Sequence, residues 1–435
     1  MKSILEFILK ILAKAVLRKY KPQVVGITGS VGKTSAKEAI YAVLKTKYKV
    51  RRGMGNLNNS LGVPLTILSG YYEDYKEVSP WFFWPKVVLG SLSLLFTKAD
   101  YPEILILELG ADHPGDIGYL VKMVKPFIGV VTEIGDIPVH VEFYSGPKHL
   151  AEEKSRLISS LPSNGFAILN TDDDLVLDMK NQSRAKVMTY GFGRSADMII
   201  SDLNYNQTAN LVDTEMTFKI SYAGSFVPFR LHAFGKSQAY ATVAAASVGV
   251  SLGMNLVEVA QAMKEFKPPI GRLNLIRGIK NTVILDDTYN ASPSSMHLAL
   301  DILGQLQAKR KVAILADMLE LGEYTEEAHR STGNLAAESA DVLICVGSRA
   351  MFIADSAGNQ LAPSVVEGMS KENILRFSNV GEALKQIDGL IKEGDLVLVK
   401  GSQSMRMEKL VESIMAEPEK AGELLVRQGK NWKKQ

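Results

Sequence analysis

Val24-Val25-Gly26-Ile27-Thr28-Gly29-Ser30-Val31-Gly32-Lys33-Thr34-Ser35 starts as a short apolar run and ends inside a helical stretch that continues to about Leu44. An apolar run of this length, closed by glycine, reads as a buried strand. A glycine-rich turn between a strand and a helix is what a phosphate cradle requires. Its glycines let backbone N–H groups turn toward a polyanion, and the helix N-terminus adds the positive end of its dipole. Thr28, Gly29, Ser30, Val31, Gly32, Lys33, Thr34 and Ser35 are therefore the candidate nucleotide-binding segment. Lys33 is predicted to reach the β- and γ-phosphates of ATP, and Thr34 to place its hydroxyl on Mg²⁺. The strict pattern G-x-x-x-x-G-K-[ST] needs glycine at the position of Ile27, whereas this chain has it one residue earlier, at Gly26. The loop is thus a variant, T-G-x-x-G-K-T-S.

Outward from the loop, Ile104 to Leu107 reads as a second buried strand, ending in Glu108, and Ile128 to Thr132 as a third. Apolar strands alternating with helical stretches imply a parallel α/β sheet. From about Lys186 to Phe234 the pattern changes to polar–apolar alternation, which predicts antiparallel β structure, and Gly235 to Leu252 returns to helix. Lys267-Pro268-Pro269-Ile270-Gly271 marks a boundary, beyond which Val283–Asp287, Val312–Ala316, Val342–Val346 and Leu396–Lys400 are the expected strands of a smaller Rossmann-like domain. The expected architecture is α/β: a central P-loop-type parallel sheet domain with an antiparallel subregion, plus a C-terminal Rossmann-like domain. The expected divisions are an N-terminal helix over 1–22, a central domain over 23–270 and a C-terminal domain over 271–435.

The 435 residues are 46% hydrophobic and 22% charged, with a net charge of +3, enough apolar material for large cores and no clustered basic face that would mark a nucleic-acid binder. The single cysteine, Cys345, lies in an apolar run and reads as a buried, inert thiol, which suits a reducing cytoplasm. The N-terminus is a helix with a charged stripe, Lys2, Glu6, Lys10, Lys14 and Arg18, and a broad apolar face. It is too interrupted to span a bilayer and lacks a cleavage site, so it either packs on its own protein or lies in a membrane interface. A second apolar stretch begins at Trp81-Phe82-Phe83-Trp84-Pro85 and runs to Phe96, within an insertion over about 72–100. Tryptophans at one end suit a membrane interface, and a cover for a core or a dimer contact is the alternative.

Further blocks narrow the reading. Gly55-Asn56-Leu57-Asn58-Asn59-Ser60-Leu61-Gly62-Val63-Pro64-Leu65-Thr66, Glu108-Leu109-Gly110-Ala111-Asp112-His113-Pro114-Gly115 and Asp286-Asp287-Thr288-Tyr289-Asn290-Ala291-Ser292-Pro293 occur in order. Asp317-Met318-Leu319-Glu320-Leu321-Gly322-Glu323 and Lys400-Gly401-Ser402-Gln403-Ser404-Met405-Arg406-Met407-Glu408 follow. With the variant loop, these six blocks resemble the Mur ligase family, in its branch that adds D-alanyl-D-alanine to a muramoyl-peptide in cell-wall synthesis.

The resemblance implies an ATP-dependent peptide ligase that phosphorylates a carboxylate to an acyl phosphate, which an amine then attacks. It implies that Glu108 holds Mg²⁺, that His140 helps bind a second Mg²⁺, and that Lys154 is the family's carbamylated lysine. Lys33, Glu108, His140 and Lys154 are then the catalytic set, with Thr34, Glu108 and His140 as metal ligands. Arg272, Asp287, Tyr289 and Asn290 are implied to face the nucleotide, Tyr289 beside the adenine. Asn58, Asn59, Asp317 and Ser402 are implied for the substrates, a nucleotide-sugar peptide and a dipeptide. The chain departs from the family before the loop, where a domain gripping a UDP-sugar is expected. About 23 residues precede the loop strand, so UDP recognition is not carried over. That departure and the apolar insertion suggest peripheral membrane contact through residues 1–18 and 81–96, or the same chemistry on another or lipid-linked acid and amine. The competing reading from a different class is a non-catalytic ATP-binding scaffold at a membrane, which would not need all four catalytic residues.

Overall fold

The computed structural model describes residues 2–55, 57–68, 79–208, 211–358, 368–429 and 432. Asn56, residues 72–78 of the apolar insertion, Met1 and most of the lysine-rich C-terminal end lie outside these residues.

Two sheets carry the chain. The first is built from β1 (Gln23–Thr28), β2 (Val50–Arg52), β3 (Ile104–Glu108), β4 (Ile128–Val131), β5 (Phe166–Asn170), β6 (Lys186–Gly191), β7 (Met198–Asn206), β8 (Glu215–Tyr222) and β9 (Ser225–Leu231). Its order is β2-β3-β1-β4-β5-β6-β7-β8-β9. Every pairing from β2 to β7 is parallel, and β7-β8-β9 is antiparallel. The antiparallel region is therefore smaller than the sequence pattern suggested. β6 pairs in parallel with both β5 and β7, because the chain returns to the same end of the sheet before each of these strands.

The second sheet contains β10 (Asn274–Arg277), β11 (Val283–Asp287), β12 (Arg310–Ala316), β13 (Val342–Val346), β14 (Ile374–Phe377) and β15 (Asp395–Lys400). Its order is β10-β11-β15-β12-β13-β14, and all its pairings except β10-β11 are parallel. This is the Rossmann-like C-terminal unit.

Parallel strands are covered on both faces, which is why these read as continuous apolar runs. Successive residues of β1 enter different cores. Val25 and Ile27 pack with α2 (Lys33–Leu44), while Val24 packs with the N-terminal helix α1 (Lys2–Tyr20). The second face also carries α3 (Gly62–Leu68), α4 (Pro80–Phe96), α5 (Asp116–Val124) and α6 (Pro147–Ser159). Opposite them, α7 (Lys236–Ser251) lies on α2. Its run of alanines lets the two helices approach closely.

The N-terminal helix packs on its own protein. Leu9, Leu12, Ala13 and Val16 are buried in the same core as Leu65, Leu105 and Leu107. Each buried leucine or valine contributes roughly 1.5–3 kcal/mol, enough to hold a 19-residue helix in place. No helix among the described residues is long and apolar enough to cross a membrane.

Candidate active site

The parallel strands of both sheets end at one cleft. β1, β3 and β4 deliver the loop after Thr28, the carboxylate of Glu108 and the segment from Thr132. From the second sheet, β11 and β15 deliver Tyr289, Asn290 and Gln403. Ligands of open α/β sheets bind at these carboxyl ends. The cleft encloses about 260 Å³.

The loop takes its shape from its glycines. Gly29 has φ 144° and Gly32, which caps α2, has φ 85°. A Cβ on Gly29 would stand 2.0 Å from Thr132 Oγ1, so no side chain fits there. Thr132 braces the turn by donating to Val31 O at 2.6 Å. Thr28 is buried beneath the loop and donates to Leu109 O at 3.0 Å.

Three lysines gather around this loop. Lys33 Nζ donates to Gly29 O at 2.8 Å and to Ser30 O at 3.2 Å. Lys154, buried on α6, donates to the same Gly29 carbonyl at 3.0 Å. Burial, and then the neighbouring Lys33 charge, push the Lys154 amine well below the usual lysine range. Lys33 is itself lowered by burial, against the pull of Glu108. Lys37, one turn after Lys33, is buried with its Nζ 3.6 Å from Glu108 Oε2.

Burial alone would raise the Glu108 carboxyl. The cations of Lys37, Lys33 and Arg272 outweigh it and hold the group ionised, below its ordinary value. Thr34 Oγ1 donates to Glu108 Oε2 at 3.2 Å, and Asn58 Nδ2 to Oε1 at 3.4 Å.

His140 has a left-handed backbone, φ 71°. Its Nδ1 lies 2.7 Å from Glu320 Oε2, and its Nε2 lies 3.5 Å from Asp112 Oδ1. Glu320 belongs to the C-terminal unit, so this pair bridges the cleft, and the imidazole holds the Glu320 carboxyl below its usual range. Ser294 and Glu133 form a second bridge.

Of the residues singled out by sequence, Ser30, Val31, Gly32, Lys33, Thr34, Asn58, Asn59, Glu108, His140, Arg272, Tyr289 and Asn290 line the cleft. Others stand behind it. Ser35 is buried and receives a hydrogen bond from Gln238 at 3.5 Å. Asp287 does not reach the cleft, because it is buried against Lys400 at 2.5 Å. Asp317 is also turned away, accepting from Ala350 N at 2.7 Å at the start of the helix Ala350–Gly358. Ser402 lines an adjoining hollow of about 470 Å³ with His140, Asn290, Gln403 and Arg406. Tyr289 has the Arg272 guanidinium 4.0 Å above its ring, so that face is already covered. A larger hollow, about 900 Å³, includes Asn170, Tyr240 and His297. A narrow pocket of about 20 Å³ at Val31, Gly32, Asn170 and Tyr240 lies between it and the loop.

The sequence reading missed Lys37, Asp112 and Gln403. Lys37 carried one usable signal, its spacing of four from Lys33, which puts both on one helix face.

Among the described residues no group of three or more His, Cys, Asp or Glu side chains converges as a ready metal cage. The donors present suit Mg²⁺ in another way: an ionised carboxylate, a hydroxyl and a histidine beside a phosphate loop, with remaining ligands from phosphates and water. A phosphate cradle beside an ionised carboxylate, set where a P-loop-type sheet and a Rossmann-like sheet both end, is the arrangement of an ATP-dependent ligase.

Comparison with known proteins agrees. The Mur ligase middle domain matches residues 27–78 and 87–249, and the Mur ligase glutamate ligase domain matches residues 271–403. The chain belongs to the Mur ligase family. It is 29% identical to the UDP-N-acetylmuramoyl-tripeptide–D-alanyl-D-alanine ligase of Bacillus subtilis over 94% of this chain and 79% of that protein. The enzyme of that name from Escherichia coli is also 29% identical, over 93% of this chain and 79% of its own length. Among solved structures, MurF ligase from Thermotoga maritima in complex with ADP aligns with TM-score 0.74 and 26% identity, covering 95% of this chain and 84% of that one. MurF from Acinetobacter baumannii, at 24% identity and TM-score 0.75 over 93% and 79% of the two chains, shares the fold.

Proposed function

We propose that the chain joins D-alanyl-D-alanine to the peptide carboxylate of a muramoyl-peptide precursor, using ATP and Mg²⁺ in the cytoplasm. The supporting observation is the convergence of Lys33, Glu108 and Arg272 on one cleft, with Lys154 buried beneath its loop on the Gly29 carbonyl and a second hollow at Ser402 adjoining it.

A carboxylate oxygen of the acceptor attacks the γ-phosphorus of ATP and ADP departs, leaving an acyl phosphate. The dipeptide amine attacks the acyl carbon, phosphate leaves, and the amine loses a proton. Lys33 and Arg272 neutralise the phosphate charge, and the loop amides orient the γ-phosphate. Thr34 and Glu108 would hold one Mg²⁺ and His140 would help hold a second, and bound there the ions would neutralise charge on the transferred phosphoryl group. Glu320 fixes the imidazole through Nδ1, so the histidine is oriented only when the two units close. The base and ribose occupy the hollow at Asn170 and Tyr240, and the dipeptide occupies the hollow at Ser402. Asn58 and Asn59 face the acceptor.

Lys154 is the lysine proposed to carry a carbamate. Two amines share the Gly29 carbonyl, and lowering the Lys154 amine favours the neutral form that attacks carbon dioxide. The resulting anion relieves its repulsion with Lys33. Native mass spectrometry is expected to show one added carbon dioxide that acid removes. Lys154→Ala is expected to lower turnover about a hundredfold, with partial recovery in added acetate. Full activity in Lys154→Met would remove the carbamate from the account.

The reading as a whole is tested by incubating the protein with ATP, Mg²⁺, UDP-N-acetylmuramoyl-tripeptide and D-alanyl-D-alanine, omitting each in turn. Phosphate release that needs both organic substrates, with a product heavier by the dipeptide less water, is the expected result. Release independent of both would sink it. A peripheral membrane contact through residues 1–18 and 81–96 is a separate proposal that does not depend on the ligase reading.

A further inference from the structure

Helix α1 has two apolar faces, and only one is used. Leu9, Leu12, Ala13 and Val16 enter the core, while Ile4, Phe7, Ile8 and Ile11 form a stripe on the opposite side and are exposed. Phe7 is 63% exposed. Helix α4 repeats the arrangement. Phe83 and Val87 are buried, and Trp81, Phe82, Leu89, Leu92 and Phe96 are exposed, Trp81 at 88% and Phe96 at 85%.

The two helices pack against each other, and their C-termini are tied together. Lys19 Nζ donates to Leu94 O at 2.8 Å and Leu95 O at 3.1 Å, the final carbonyls of α4, and Tyr20 OH donates to Leu94 O at 2.8 Å. Tyr20 also stacks on Tyr101 at 4.4 Å. The exposed side chains therefore stand on a fixed platform. Single exposed apolar residues need no explanation, but nine large ones on two packed helices do.

Charge identifies the occupant. Along α1 the exposed stripe of Phe7 and Ile11 continues, one turn at a time, as Lys14 and Arg18. The two helices together contain six basic residues and a single acidic one, Glu6, whose carboxylate is engaged with Ser60 Oγ at 2.9 Å. An apolar stripe with aromatic residues and a one-signed basic margin matches an anionic bilayer surface, in whose plane such helices lie. A second copy of the chain would set basic margins of the same kind against each other.

The Glu6–Ser60 bond also links this face to the cleft. Ser60 follows Asn58 and Asn59, which line the cleft on the side where the proposed reaction needs its acceptor. We infer that the α1–α4 face docks on an anionic bilayer and that the acceptor carboxylate reaches the cleft from a lipid anchor. The lipid anchor rests on the ligase reading; the docking does not.

The test uses the full chain and vesicles of phosphatidylcholine with or without phosphatidylglycerol. Co-sedimentation is expected only with the anionic vesicles and is expected to weaken with salt. Phe7→Glu/Trp81→Glu changes two exposed side chains, so its melting temperature is expected to match the parent. Its partition to vesicles is expected to fall at least about tenfold. Lys14→Glu/Arg18→Glu is expected to abolish the preference for anionic lipid. Two acceptors are then compared on anionic vesicles: UDP-N-acetylmuramoyl-tripeptide, and the same sugar-peptide carrying a long-chain alkyl phosphate in place of the nucleotide. The lipidated acceptor is expected to react at least about tenfold faster, and Phe7→Glu/Trp81→Glu to remove only that advantage. Failure of the parent to sediment, or unchanged sedimentation of the apolar variant, overturns the docking. Equal rates with both acceptors overturn the lipid anchor and leave the ligase reading standing. Ligation of neither acceptor, with sedimentation intact, overturns the ligase reading and the lipid anchor together.

Discussion

Lys33→Met is expected to lower kcat about a thousandfold, the scale of losing a preorganised charge at the transferring phosphoryl group, without loss of stability. Methionine keeps the apolar stem of the side chain. The ammonium it removes is disfavoured by burial, which outweighs the pull of Glu108 and Asp112, and it donates to the loop carbonyls of Gly29 and Ser30. The fold therefore gives up little that was favourable. The substitution also removes the one charge that depresses Lys154, so the Lys154 amine is expected to rise, while burial, the larger cause, still holds it below the ordinary lysine range. Steady-state turnover, thermal melting and amine reactivity at Lys154 read these three effects separately. A variant that melts well below the parent would show that Lys33 is structural.

Glu108→Gln is expected to fail in two ways. It removes the carboxylate assigned to Mg²⁺, at a cost in turnover of at least about a hundredfold. It also leaves Lys37 buried without its main counter-charge, and breaking a buried pair in this way costs about 3 kcal/mol. Lys37→Met added to Glu108→Gln is expected to restore most of the stability and none of the activity. A single variant as stable as the parent would show that Glu38, 3.7 Å from Lys37, suffices as its partner. Recovery of turnover in the double variant would remove Glu108 from the chemistry.

These two sites show what the sequence could and could not disclose. The strand, loop and helix from Val24 to Leu44 were legible because every determinant is local: apolar strand, glycines at the turn, lysine at the helix start. β1 and α2 fall where the pattern put them. Glu108 was legible for the same reason, as a carboxylate closing an apolar strand.

Non-local features were not. Strand direction between 186 and 206 depends on how the chain returns between strands, and side-chain alternation carries no record of that. Asp287 stands in a motif, yet Lys400, distant in sequence, captures it. Lys37 looks like any solvated helix lysine until α2 is packed against β3. The broad apolar face of α1 did not disclose which part of it enters the core. Only the surfaces of α3, β3 and α5 decide that Leu9, Leu12 and Val16 face inward.

The central claim is that this chain activates a carboxylate by phosphorylating it, and oxygen transfer tests that step directly. The acceptor peptide, labelled with ¹⁸O in its reacting carboxylate, is incubated with ATP, Mg²⁺ and D-alanyl-D-alanine, and the released phosphate is examined by mass spectrometry. The account predicts one labelled oxygen in each phosphate and the other retained in the new amide. Phosphate that carries only oxygen from ATP and water would contradict it.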